Sequence, residues 1–161
     1  MRILKLTICA LLLMALTAPA ADGPAAGPGF AVIVSPDVPL TGLSMTDLRK
    51  LFLGDRQYWT PNLHVSLLIR APVARERAVI VWTVCKMSEA QFGQHWISKV
   101  MRADCTTSPR QFASNQAALD LVRSMPGAIA VVNAAQATGM KVLAIDGKMP
   151  NDPGYPLQIT R

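Results

Sequence analysis

Short apolar runs rich in β-branched residues alternate along this chain with amphipathic segments that carry helix-capping residues. That alternation is what most limits the folds open to it. Phe30 to Val34, His64 to Ile69, Ala128 to Val132 and Lys141 to Ile145 read as buried strands. Between them, Ser44 opens a helix with Asp47 three residues on, near a capping-box arrangement; Met45, Leu48 and Phe52 share a face, and Gly54 supplies a left-handed stop. Ser88 and Gln91 form a second capping box, with Phe92, Trp96 and Val100 stepping down one face. Ser114 or Asn115 caps a further helix with Ala118, Leu121, Val122 and Met125 on one side, and Pro126-Gly127 breaks it. Strands alternating with helices predict an α/β layer fold with a mainly parallel sheet. Ser35-Pro36-Asp37 reads as a turn, and Asp55 to Asn62 (with Tyr58 and Trp59) and Asp104 to Pro109 read as loops.

The ends carry different chemistry. Arg2 and Lys5 precede an apolar run from Leu6 to Leu16, and Ala18-Pro19-Ala20 is a small-x-small cleavage pattern. Residues 1–20 therefore read as a secretory signal peptide, cut after Ala20 or at its neighbour Ala21. The run is short of the ~20 apolar residues that a membrane span needs. Residues 21–29 are a flexible Gly/Pro leader, 30–146 the folded domain, and 147–161 an extended Pro-rich tail. Losing Arg2 and Lys5 with the signal leaves 14 basic against 10 acidic residues, lowering the formal charge from +6 to +4. That excess suits an anion or an acidic surface and lacks the dense basic stripe of a nucleic-acid binder. No membrane contact is expected after cleavage. Cys85 and Cys105 remain, and in an oxidising compartment they are expected to pair, closing a loop of about 20 residues that contributes roughly 3 kcal/mol.

Four motifs stand in order: Leu43-Ser44-Met45-Thr46-Asp47-Leu48-Arg49-Lys50-Leu51-Phe52-Leu53-Gly54, then Tyr58-Trp59, a strand ending at Arg70, and Pro126-Gly127-Ala128-Ile129-Ala130-Val131. Together they resemble the second lobe of PstS-like periplasmic phosphate-binding proteins, the solute receptors of ABC uptake systems, over residues 32 to about 145. The resemblance implies a single lobe of a type II periplasmic binding protein-like fold, a mainly parallel sheet flanked by helices. Residues 74–85 are ambiguous by composition, strand-like at Val79 to Val84 and helix-favouring before that, and the resemblance implies a buried helix. It also implies that Trp59 packs the lobe together.

Receptors of this kind trap an anion between two lobes, and this chain has room for about one. Ligands in open α/β sheets sit at carboxyl ends of strands beside helix N-termini. Two strand ends qualify here, Val34-Ser35-Pro36 and Ile69-Arg70. The resemblance assigns Arg70 to the arginine that forks onto phosphate. Where the receptors follow with a Ser-Gly-Thr triplet, this chain has Ala74-Arg75-Glu76, with both hydroxyls gone and a carboxylate in their place. Ser35, Arg70 and Arg75 are the candidate anion ligands, while Arg75 and Arg77 also fit a solvated helix face. Trp82 reads as core, and His64 and His95 as packing or surface residues without metal spacing. No catalytic motif, metal site or cofactor site is legible. Two functions are compatible with these residues: a non-enzymatic periplasmic module that binds phosphate or another small anion for ABC uptake or sensing, or an envelope protein-interaction module that has lost its ligand. Possible partners are accordingly a transporter or sensor component, or a second copy through self-association.

Overall fold

The computed structural model describes residues 29–105 and 108–158; the expected signal peptide and nearly all of the expected leader lie outside them. Six strands, β1 (Phe30–Val34), β2 (Gly42–Leu43), β5 (Ser66–Arg70), β6 (Arg110–Phe112), β7 (Ala128–Asn133) and β8 (Lys141–Ile145), form one sheet in the order β2-β8-β1-β7-β5-β6. The pairs β2–β8, β5–β7 and β5–β6 are parallel, while β1 runs antiparallel to both neighbours. The sheet is mainly parallel, as expected, with one reversed strand at its centre. Both faces are covered, so the central strands are apolar throughout rather than alternating. On one face Phe30, Val32, Val34, Ile129, Val131, Leu143 and Ile145 join the core built with α1 (Met45–Phe52), α3 (Glu89–Met101) and the segment between them. On the other, Ala128, Ala130 and Val132 of β7 meet Ala118, Leu119 and Val122 of α4 (Asn115–Ser124). The alanines let α4 lie close to the sheet.

The helix starts follow the residues that mark them. Ser44, Ser88 and Ser114 each cap their helix by accepting a backbone N–H, and Ser88 with Gln91 completes the capping box. Gly54 has φ +71°, and a Cβ there would stand 2.7 Å from the Trp96 ring. It serves a close approach as well as a stop. Gly127, at φ +65°, lies so tightly against the His64 carbonyl that no side chain fits. Its own carbonyl accepts the Trp59 indole N–H (2.8 Å) and the Ser66 N–H (2.9 Å). Trp59 thus packs the lobe together as expected.

Several expectations need correction. Residues 55–62 are not only loop: β3 (Tyr58–Thr60) pairs with β4 (Leu63–His64) in a separate hairpin. The 74–85 helix is split into a four-residue α2 (Arg75–Ala78) and a π-helical segment, Val79–Val84. Five of its six residues are β-branched, which crowds an ordinary α-turn. Cys85 N–H accordingly bonds to the Ile80 carbonyl, five residues back. The wider turn leaves Trp82 60% exposed, not in the core, and Val100 is also outside it. Strand β6 carries Arg110 and Gln111 and has no apolar pattern to reveal it. Cys85 and Cys105 are free thiols, not a disulfide. Burial in the main core pushes the Cys85 thiol up from 9.0 to about 12, against a smaller opposing effect of Arg49. After β8 the described chain has no helix or strand, yet Tyr155 and Leu157 are buried, and the Leu157 carbonyl accepts the Phe30 N–H (3.1 Å).

Candidate functional site

Strands β5, β6 and β7 run in the same direction, so their carboxyl ends gather at one edge of the sheet. Arg70 ends β5, and its guanidinium lies 5.9 Å from the ring of Phe112, which ends β6. Asn115 opens α4, and Gln136 lies in the 3-10 turn Ala134–Gln136 that follows β7. Glu76 of α2 reaches into this group. Its Oε2 is 3.8 Å from Arg70 Nε, and its Oε1 accepts from Asn115 Nδ2 (2.8 Å), which also donates to Gln136. Both charged side chains are largely buried, 20% and 12% exposed. The carboxylate that replaces the expected hydroxyl is therefore the counterion of Arg70.

Arg77, assigned from sequence to a solvated face, is instead buried. Its Nε (2.7 Å) and Nη2 donate to Glu89 Oε1, its Nη1 donates to the Arg70 carbonyl (3.1 Å), and it lies 5.8 Å from the Phe92 ring centre. It ties the end of β5 to the start of α3. The signal was present, since Arg77 shares an inward stripe with Val81 and Val84. Arg75 is exposed and has no ion pair among the described residues.

Ser35 is not brought to Arg70. Because β1 is reversed, Val34 pairs with Ile129, which stands opposite Leu67, and the Ser35 N–H bonds to the Ala128 carbonyl beside Ser66. Ser35 thus lies four residues, about 13 Å along the strand direction, from the Arg70 end. Its hydroxyl donates to Asp37, whose carboxylate also accepts the Gly127 N–H at 3.2 Å. A third helix-end position behaves likewise: Asp146 Oδ1 accepts the Met45 N–H (2.9 Å) at the start of α1, beside an open groove of about 520 Å³ lined by Asp47, Arg56 and Asp146. At these three positions a carboxylate of the chain itself, Glu76, Asp37 or Asp146, is already in place. Asn115 and Gln136 had no signal in the sequence, because only the register of β6 and β7 brings them to Glu76.

His95 Nε2 donates to the Leu53 carbonyl (2.9 Å), and His64 packs edge-on to Tyr58, 4.9 Å between ring centres. Among the described residues, no helix is long and apolar enough to cross a membrane.

No family model and no curated protein matches the sequence. Solved structures do match in shape. A putative phosphate ABC transporter substrate-binding protein with bound phosphate from Clostridium perfringens superposes with a TM-score of 0.57 at 12% identity, over 76% of this chain and 46% of that one. PstS from Borrelia burgdorferi gives 0.60 at 14% identity, over 81% and 54%. An ABC-type phosphate transport receptor from Vibrio cholerae gives 0.56 at 14%, over 76% and 48%. The chain spans about half the length of each. At these identities the likeness is one of fold, and the fold is that of a substrate-binding-protein lobe.

Proposed function

We propose that this chain is an exported, non-enzymatic lobe of the periplasm that uses the substrate-binding-protein fold for protein recognition in place of anion capture. The observation that carries this reading is the Glu76 carboxylate, held by Asn115 beside Arg70. A phosphate entering there would meet a largely buried like charge and would have to displace a paired one. Titration calorimetry with phosphate at low salt tests it. The wild type is expected to give no saturable heat at millimolar phosphate, whereas Glu76→Gln, which frees Arg70, is expected to gain binding. Saturable heat in the wild type would overturn it.

A second reading is favoured by a separate observation. Arg70 Nε is buried without a hydrogen-bond acceptor, and the structures with this fold include phosphate-transport receptors, one with phosphate bound. On that reading Arg70, assisted by exposed Arg75, holds phosphate or a similar small anion for ABC uptake or sensing. Wild-type heat that disappears in Arg70→Ala would support it.

A further inference from the structure

Where α3 meets the β3–β4 hairpin, two buried polar atoms are left without a partner around one thiol. The Trp96 indole Nε1 and His64 Nε2 are both buried with no hydrogen-bond partner among the described residues. Both residues line one small cavity together with Cys105 and Arg56. Local ties bring them there. The Gln57 carbonyl accepts the Val65 N–H (2.8 Å) next to His64, and Gln57 Nε2 donates to the Asp104 carbonyl (2.8 Å), which sets Cys105 against the hairpin. Trp96 is only 7% exposed, and the tip of its ring rests on Gly54, so the indole is held in one orientation. The cavity measures about 10 Å³, room for one oxygen-sized atom. Its chemistry asks for an acceptor, because an indole N–H can only donate and Arg56 adds positive charge. A cation is thereby disfavoured. His64 Nε2 donates or accepts according to its tautomer, so it meets either an oxygen anion or a hydroxyl. Of the side chains around the cavity, that of Cys105 can itself carry such an oxygen.

We propose that Cys105 is a site of oxidation by hydroperoxides, and that its sulfenic oxygen lodges in this cavity between Trp96 Nε1 and His64 Nε2. The Cys105 thiolate attacks one peroxide oxygen. The S–O bond forms as the O–O bond breaks; sulfur gives up two electrons and the peroxide takes them. The thiol proton has gone to solvent, and the departing hydroxide or alkoxide takes one up to leave water or an alcohol. Cys105 is half-buried, so a small peroxide reaches it from the open side. The donors that hold the new oxygen then oppose its further oxidation to sulfinic acid. Cys85 is fully buried, and its thiol, raised to about 12, stays un-ionised at neutral pH, so it does not attack the sulfenic sulfur. This site shares no residue with the strand-end cluster around Arg70, and it stands or falls separately from the proposed function.

The wild-type chain treated with one equivalent of hydrogen peroxide is expected to gain a single oxygen at Cys105, read by mass spectrometry after trapping with a cyclic diketone. In proton–nitrogen NMR spectra one indole N–H, the one missing from Trp96→Phe, should move downfield as it bonds to the new oxygen. Trp96→Phe and His64→Phe each keep a ring in place and remove one of the two polar atoms. Each should shorten the lifetime of the sulfenic acid about tenfold, with passage to sulfinic acid. Circular dichroism reports whether the variants fold, and the indole shift in the wild type decides the matter where one does not. No trapped adduct at Cys105, a Cys85–Cys105 disulfide in its place, or an oxidised protein whose indole resonances stay still would overturn the proposal. So would unchanged lifetimes in both folded variants, in which case the cavity serves only a solvent molecule.

Discussion

The Arg77–Glu89 pair is asymmetric, and that predicts an unusual order of mutational costs. The Arg77 side chain is 9% exposed, that of Glu89 48%. Exposure alone would rank Arg77 as the costlier residue to replace. Ionic chemistry reverses the order. In Glu89→Ala the guanidinium stays buried and keeps only the Arg70 carbonyl and the Phe92 ring as partners. Breaking a buried pair this way costs about 3–5 kcal/mol. The lower figure applies, because water can enter from the side Glu89 vacates, and about 0.5 kcal/mol is added for the acidic residue lost from the first turn of α3. In Arg77→Met the charge leaves, the aliphatic stem is kept, and Glu89 returns to water. What is lost is one hydrogen bond to the Arg70 carbonyl, about 1 kcal/mol, and part of a cation–π contact, about 0.5 kcal/mol. The expected costs are about 3–3.5 kcal/mol for Glu89→Ala and about 1.5 kcal/mol for Arg77→Met. Urea unfolding at micromolar protein, followed by circular dichroism, measures both. Arg77→Met costing more than Glu89→Ala, or Glu89→Ala costing under about 1 kcal/mol, would refute the idea that a stranded buried cation dominates.

Gly127→Ala is expected to abolish stable folding, since it adds left-handed strain of about 1–2 kcal/mol to a collision with the His64 carbonyl; circular dichroism and solubility report it. Cys85 should resist a thiol reagent at neutral pH until the protein unfolds, while half-buried Cys105 reacts in the native state. With the Cys85 thiol raised from 9.0 to about 12, the unfolded state ionises first. Stability is thus complete below about pH 9 and falls as the pH rises toward 12, and a Cys85→Ala variant should lose part of that slope. Trp59→Phe should cost about 1–2 kcal/mol through loss of its bond to the Gly127 carbonyl, whereas Trp82→Ser should change stability by under about 0.5 kcal/mol. Iodide should quench Trp82 fluorescence preferentially.

The legible parts of this chain are those governed by local chemistry. Ser44, Ser88 and Ser114 declare helix starts because a hydroxyl next to an apolar stripe has few other uses, and the Phe30–Val34 and Ala128–Asn133 runs could only be interior strands. What escaped depends on neighbours distant in sequence. Strand β6 exists because β5 offers it an edge, not because Arg110 and Gln111 prefer to be extended. The π-helical turn at Val79–Val84 arises from β-branched crowding in a segment held at both ends, and it alone decides that Trp82 faces outward. For the site, the sequence marks Arg70 and sets the Glu76 carboxylate near it without showing that the two pair, and the reversal of β1 carries Ser35 to the opposite end of the strands. A strand's direction is set by its hydrogen-bonding partners and leaves no mark in its composition.

That reversed strand also orders events in time. Residue 30 begins a strand that lies at the middle of the sheet, yet both of its neighbours lie beyond residue 127. No amino-terminal fragment can seat it, however well its helices form, and the closing of nearly a hundred intervening residues must precede the reward. Such a chain condenses late and as a whole. Until β7 and β8 have emerged, Phe30–Val34 remains an unpaired apolar segment, open to chaperones and able to thread through a narrow conduit.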